Sequence, residues 1–568
     1  MNPSRFAFMR QVWTQLIRPY WTSQERWIAL GLLGANMLLS GLFVYLSIRL
    51  NYWTNDVYTS LQELNGNAFF SLLGVFALLA FLSIMIFITK FYLLQILEIR
   101  WRQWMTHHLL DSWIHNRRYY AMQLKGIGTD NPDQRIAEDI HQFIDKSLSL
   151  TLGFFQQICT LVAFLGVLWV LSGVLTFTLG GVTVSIPGYL CWAAFFYAVG
   201  GSFMSYYLGR PLVRLNYEHE KREADFRYSL VRFRDNMEGV ALYQGEAQEK
   251  SIFTLRFNCV VKNFHDIIKR SLVIHTWNSF YGQVNSIFPL LLATPRLFAK
   301  ELSFGGLMQT LSAFNHVSHA LSFIVDNYPS MASWRATTNR LLEFKHSMDD
   351  LSPTPLIHGT HGQEEIRVSC ETISLPHGAT LSENIQLVFK KKENTLITGF
   401  TGIGKSTLAR VIAGLWTYGK GEVRIPSSPF LFLPQKPYMP LGSLRTVLHY
   451  PLSTASAQET EDVLRAVGLN AFIQRLDEVN DWARVLSLGE QQRIAIARAL
   501  LTKPKWLFLD EATSAVDEAS EAQLYRTLKA YLPETTLISV GHRESLRPLH
   551  DREVRMGEAL APLEIAVA

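Results

Sequence analysis

The sequence predicts a six-span α-helical membrane domain fused to a soluble α/β domain organised around a phosphate-binding loop. Three observations carry the prediction. Charged residues are only 18% of the 568 while aromatic residues reach 12%, and mean hydropathy is +0.10; that balance suits a chain partly immersed in lipid. From Ser147 to Gly209 there is not one Asp, Glu, Lys or Arg, a run long enough to cross a bilayer twice at about 20 apolar residues per crossing. After residue 365 the composition becomes that of a soluble domain, and it contains Gly399-Phe-Thr-Gly402-Ile-Gly404-Lys405-Ser406-Thr407, the pattern G-x-x-x-x-G-K-[ST].

The elements follow in order. Residues 1–26 read as a cytoplasmic elbow, since the stretch around Arg5, Arg10 and Arg18 lacks the compact apolar run and small-residue cleavage site of a secretory signal. Residues 27–345 hold the six spans, near 27–48, 68–89, 148–171, 186–208, 271–292 and 302–325, with cytoplasmic coupling extensions. Lys and Arg are retained on the cytoplasmic side of short loops. Arg100, Arg102, Arg117, Arg118, Lys125, Arg135 and Lys146 lie between the second and third spans, and twelve more lie from Arg210 to Arg270. Both termini are therefore expected in the cytoplasm. Between the third and fourth spans, Val174 to Ser185 alternates Thr with apolar residues around Gly180 and Gly181, a hairpin signature on the external face. Residues 346–365, with Pro353 and Pro355, read as a linker, and 366–568 as the soluble domain.

Some classes are excluded early. A surplus of 53 − 48 = +5 basic residues is too mild for a nucleic-acid binder. Cys159, Cys191, Cys259 and Cys370 form no C-x-x-C pair and read as packing residues.

In the soluble domain, Thr395 to Thr398 reads as a buried strand leading into the loop, and an apolar helix follows through Ala409 and Ile412. Gly399, Gly402 and Gly404 let backbone N–H groups converge on phosphates, with Thr407 in the first helical turn. Lys405 is expected to reach the β and γ oxygens of ATP, and Ser406 to ligate Mg²⁺. A second apolar strand, Lys505 to Leu509, delivers Asp510 and Glu511 at its C-terminal end, where an open α/β sheet places its ligand chemistry. Asp510 is expected to hold Mg²⁺ through water, and Glu511 to polarise the attacking water.

At Leu486-Ser487-Leu488-Gly489-Glu490-Gln491-Gln492-Arg493 the chain resembles the ATP-binding domain of ABC transporters, whose signature is L-S-G-G-Q. Gln435 in Leu433-Pro-Gln-Lys-Pro is similar to the family's Q-loop, Ser514-Ala-Val-Asp517 to its D-loop and His542 in Val540-Gly-His to its switch histidine. The resemblance implies an exporter-like type IV ABC fold. It implies ATP and Mg²⁺ contacts for Gln435, a catalytic role for His542, and a half-transporter whose homodimer sandwiches two ATP. Ser487, Gly489 and Glu490 would then meet the nucleotide held by the other subunit. Leu488 and Glu490 depart from the usual Gly and Gln, and Leu375 stands where many members stack an aromatic ring on adenine, with His377 nearby.

The wording around the motifs narrows the resemblance. Pro434 to Arg445 and Ile538 to Arg543 resemble the subfamily D transporters, known from peroxisomal fatty acyl import, as do the coupling segments Thr129 to Asp139 and Glu238 to Ala247. Asn55 to Gln62 resembles the membrane domain of SbmA/BacA-type uptake proteins, and the nearest type is the bacterial YddA-like group. That implies residence in a bacterial inner membrane. On the sixth span Gln309, Ser312, His316 and His319 share a face; the fifth carries His275, Asn278, Gly282, Asn285 and Ser286, and the first Asn36 and Ser40. Polar stripes are costly against lipid, so a wet cavity is expected. The leading expectation is import of a bulky hydrophilic solute, such as a peptide or cobalamin. The alternatives are export or flipping of a lipid or acyl conjugate, and an ATP-gated membrane regulator.

Overall fold

The computed structural model describes residues 5–125, 131–179, 182–349, 357–361, 364–400, 402–451, 455–557 and 563–566. The chain forms two compact units, one of Met1–His115 with Thr129–Ser347 and one of Asn116–Gly128 with Met348–Ala568.

The first unit is built on six long helices: α1 (Arg26–Gln62), α2 (Gly66–Ile114), α3 (Ile140–Ser172), α4 (Tyr189–Asp235), α5 (Glu246–Phe298) and α6 (Phe304–Asp326). Each takes up all or most of one expected span, the fourth and sixth starting at Tyr189 and Phe304 and not at 186 and 302, and α2, α4 and α5 run far beyond the length a bilayer requires. Among the described residues, three stretches, Arg26–Gln62, Gly66–Leu124 and Pro132–Ser172, are long and apolar enough to cross a membrane. The fifth and sixth expected spans are diluted by the polar groups noted above. The core lies where α3, α4 and α6 meet, with Phe164, Leu168, Ala194, Phe314 and Val317 all fully buried. Close approach needs small residues: a Cβ on Gly305 would lie 2.1 Å from the Asn55 carbonyl oxygen, so glycine lets α6 start against α1. Asp139, 1% exposed, is held by Arg340 at 2.6 Å and Arg135 at 2.7 Å, the pairing a buried carboxylate requires.

The expected hairpin is present as β1 (Val174–Leu179) and β2 (Val182–Pro187), antiparallel with Leu179 opposite Val182. Its two glycines, like the prolines of the expected linker, lie outside the described residues.

The second unit contains a six-stranded sheet of β3 (Thr395–Gly399), β4 (Phe430–Leu433), β5 (Trp506–Asp510), β6 (Thr536–Val540), β7 (Arg552–Met556) and β8 (Leu563–Ala566), in the order β8-β7-β3-β6-β5-β4. All pairings are parallel except β7 with β8. Strands buried on both faces read as continuous apolar runs, which is the pattern of Trp506-Leu-Phe-Leu509 and Thr536-Leu-Ile-Ser-Val540. A four-stranded sheet of Ile357–His361, Ile366–Ser374, Thr380–Phe389 and Gly419–Ile425 accompanies it.

Two expectations need correction. Ile357–His361 lies inside the stretch read as a linker, yet it is a strand, paired in parallel with Gly419–Ile425; ladder bonds from a neighbouring strand override a turn-rich local sequence. The first coupling segment is expected at 129–139, but the residues that join the second unit are 116–128. There the helix Arg118–Lys125 buries Met122, Leu124 packs on the cluster containing Leu408, Val411 and Ile412, and the Arg117 guanidinium donates to the Ala413 carbonyl at 3.0 Å. The second expected segment is a short helix, Met237–Tyr243, at the tip of the α4–α5 pair, with Leu242 and Tyr243 exposed.

Beneath β6, His550 is 4% exposed and both ring nitrogens are engaged. The Leu546 carbonyl can only accept, so Nδ1 carries the proton and donates at 2.8 Å, leaving Nε2 to accept from the Ser539 hydroxyl at 2.8 Å. Tyr525 donates to the same Ser539 oxygen at 3.0 Å. Burial pushes the imidazole down from 6.5 to about 4. The folded state therefore resists the proton that the unfolded chain accepts. Stability of the second unit should be full above pH 6.5 and fall until about pH 4, a loss of about 3 kcal/mol at 1.36 kcal/mol per unit. Chemical unfolding of the purified protein across this range should show the slope, and His550→Gln should flatten it.

Candidate functional site

The sequence of the phosphate-binding loop dictates its shape. Gly399, Gly402 and Gly404 have φ of 144°, 87° and 100°, a region that disfavours any side chain. A Cβ on Gly399 would also meet the Met556 carbonyl oxygen at 2.6 Å. The loop thus turns sharply from β3 into α7 (Lys405–Ile412), whose N-cap is Gly404, and presents unpaired N–H groups at the positive end of a helix. Lys405 is 6% exposed and its Nζ donates to the carbonyls of Gly399 and Phe400, both at 2.8 Å. Burial lowers its pKa, opposed by the charges of Glu511 and Asp510. Thr407, one turn in, is nearly buried.

The Ser406 hydroxyl donates to Asp510 Oδ1 at 2.9 Å. Burial raises the Asp510 carboxyl above its ordinary value, opposed by the Ser406 bond and reinforced by Glu511. A hydroxyl and a carboxylate converging beside the loop are the hard oxygen donors that Mg²⁺ takes alongside phosphate oxygens, so these residues fit that ion. Bound there, it would neutralise phosphate charge.

Glu511 closes the group. Its φ is 49°, an uncommon backbone state for a non-glycine residue and a form of strain that concentrates at functional sites. Gln435 Nε2 donates to Glu511 Oε2 at 2.9 Å, and His542 Nε2 lies 3.3 Å from Glu511 Oε1. The carboxylate is thus held from two sides, and Gln435 keeps its own amide oxygen as an acceptor. Six of the expected residues, Lys405, Ser406, Gln435, Asp510, Glu511 and His542, belong to this one constellation.

Ser487, Gly489 and Glu490 form a separate group at the N-terminus of α8 (Leu488–Thr502). Ser487 caps that helix, and Glu490 reaches back to the Ser487 N–H and hydroxyl, each at 2.8 Å. Within the chain Glu490 orients Ser487 rather than presenting a carboxylate outward. The pattern S-x-x-E is a capping box, a signal present in the sequence. Leu375 is half-buried against the neighbouring core, while His377 is exposed in the turn Leu375–Ala379. Two residues given no role beforehand, Gln492 and Arg543, also lie at the site. Gln492 is fully buried and donates to the Gln435 carbonyl at 2.9 Å; Arg543 donates to the Ser514 carbonyl at 2.9 Å.

Residues 14–298 match the family model of the ABC transporter transmembrane region 2, and residues 382–514 that of the ABC transporter ATP-binding domain. The chain is 32% identical to the inner membrane ABC transporter ATP-binding protein YddA of Escherichia coli, over 94% of this chain and 95% of that protein. It is 28% identical to the lysosomal cobalamin transporter ABCD4 of Mus musculus, covering 81% of this chain and 80% of that one. In fold it is similar to a bacterial Atm1-family ABC exporter with ATP bound, at a TM-score of 0.70, 16% identity and 95% coverage of both chains.

Two substitutions test the constellation. Glu511→Gln should keep ATP affinity within about threefold of wild type and lower steady-state hydrolysis about 100-fold or more, the range expected for loss of a general base; phosphate release and equilibrium binding of a fluorescent ATP analogue measure the two. Lys405→Ala should weaken the same binding by about tenfold or more, as expected for loss of a charge-assisted phosphate contact.

Proposed function

The chain belongs to the ABC transporter family, as a membrane half-transporter related to YddA and to the D subfamily whose ATPase is coupled to transport, and we propose that it imports a bulky hydrophilic solute as a homodimer. Two copies bind two ATP, each between the Lys405 face of one chain and the Ser487 face of the other. Lys405 holds the phosphates, and Ser406, Asp510 and Gln435 hold Mg²⁺. Glu511 takes the proton of the attacking water, steered by His542. ATP can shift the equilibrium only by its differential affinity for the closed state, and hydrolysis then resets it.

We place the protein in a bacterial inner membrane with six spans, both termini in the cytoplasm and an SbmA/BacA-like membrane domain. Support comes from the Escherichia coli relative, an inner membrane protein, from the six long helices and from the distribution of basic residues.

One observation carries the cargo reading: the polar stripes divide. Asn36, Ser40 and Gln309 are buried inside the chain, with the Gln309 carbonyl accepting from Asn51 at 3.1 Å, so they serve helix packing and not the expected cavity. His275, Asn278 and Ser286 of α5 and His319 of α6 are exposed within the single chain. Polar groups on a spanning helix are costly against lipid, and a water-filled path between two copies gives them solvent. A wet path suits hydrophilic cargo such as a peptide or a cobalamin, the mouse relative being a lysosomal cobalamin transporter.

Accumulation of labelled cobalamin and of a Pro-rich peptide should be measured in cells, with Glu511→Gln as control. Glu511-dependent uptake is expected, and should fall about tenfold in the combined variant His275→Leu, Asn278→Leu, His319→Leu while basal ATP hydrolysis persists, as for a loss of binding without a loss of chemistry. ATP-dependent filling of inverted vesicles would reverse the direction.

A further inference from the structure

The hydrogen bonds around Glu511 continue into a closed circuit. Starting from the carboxylate, Gln435 donates to Glu511 at 2.9 Å. The Gln435 main-chain carbonyl accepts from Gln492 Nε2 at 2.9 Å. The same amide nitrogen reaches the Ser514 hydroxyl at 3.2 Å, and Gln492 Oε1 accepts from the Ala515 N–H at 2.9 Å. On the other side of that loop, Arg543 donates to the carbonyls of Ser514 at 2.9 Å and Val516 at 2.7 Å. Arg543 directly follows His542, which returns to Glu511 at 3.3 Å.

Neither linking side chain has freedom to drift. Gln492 is 0% exposed, and a buried amide is costly to leave unpaired. Arg543 lies 3.4 Å from Glu521, a carboxylate only 2% exposed that also accepts from the Ser545 hydroxyl at 3.2 Å and from Thr513. The loop from Thr513 to Asp517 is thus clamped to the Gln435 segment by Gln492 and to the His542 segment by Arg543.

We propose that Gln492 and Arg543 are positioning residues for ATP hydrolysis, which make the Ser514–Asp517 loop, Gln435, His542 and the Glu511 carboxylate move as one body. The hydrogen bonds of both residues go to 435, 514–516 and 521 and none to the described residues of the phosphate-binding loop, so their loss leaves nucleotide binding in place and misaligns the base. Because both act on one loop, losing the second adds little once the first is gone. The proposal rests on Glu511 as the base. Glu511→Gln tests that separately, since wild-type turnover in that variant removes the base assignment whatever the linkers do.

The test uses the purified full-length protein in lipid nanodiscs with MgATP. Gln492→Leu and Arg543→Lys should each lower kcat by about tenfold with KM within about threefold, and the double variant should be no more than about twofold below the worse single. Gln492→Glu, which keeps the acceptor for Ala515 but loses both donated bonds, should fall between wild type and Gln492→Leu. A purely structural role would lower the melting temperature without this split. The proposal is overturned if folded Gln492→Leu keeps kcat within about twofold, if KM carries the loss, or if the two effects multiply. Should Gln492→Leu fail to fold, Arg543→Lys and Ser514→Ala decide by the same criterion: unchanged kcat in both refutes it.

Discussion

The site depends on a single constraint, the place where β5 stops. Main-chain pairing carries that strand through Asp510 opposite Val540, and the next residue turns out of the sheet into a left-handed backbone. Adjacent residues of a strand point to opposite faces, and the abrupt turn lets Asp510 face Ser406 while Glu511 faces Gln435 and His542. Two like charges one residue apart are thereby sent to different partners. Neighbouring carboxylates would otherwise compete for one proton, so the backbone separates the ion-holding role from the base role before any side chain is considered.

The two units meet the polarity problem differently. In the ATP-binding unit several buried polar groups are tied into networks, such as Tyr525, Ser539 and His550, or Thr513, Glu521 and Arg543, although the buried Trp482 indole N–H has no partner among the described residues. In the membrane unit, buried Asn36, Asn51, Gln309 and Ser318 each retain a polar atom without a protein partner. A buried unpaired group in a low-dielectric interior is costly.

Much of this was legible in the sequence, for a definable reason. The phosphate loop, the acidic strand end and the hairpin are local devices whose geometry is written in consecutive residues: three glycines with positive φ, an apolar run ending in two acids, alternating Thr around a Gly pair. What escaped was non-local. Met122 and Leu124 look like a continuation of α2, and nothing in their neighbours tells that they seal the other unit. Gln309 has the spacing of a cavity stripe, but it is buried, and its main-chain carbonyl accepts from Asn51 of α1, more than 200 residues earlier. Gln492 stands in a quoted motif, yet its partners at Gln435 and Ala515 are fixed by tertiary folding. Glu490 is the exception, because its capping box was readable and was passed over for a role implied by resemblance.

The ownership of residues 116–128 by the second unit limits how this polypeptide can be dissected. The chain crosses from one unit to the other three times, after His115, Gly128 and Ser347. A soluble fragment begun at Met348 would therefore uncover the apolar cluster on which Leu124 packs, and sticky surface of that kind invites clumping. The catalytic module is not an appendage that can be snipped off at its obvious hinge. It includes a stretch threaded in from the membrane half, so any stand-alone version must graft that stretch back in.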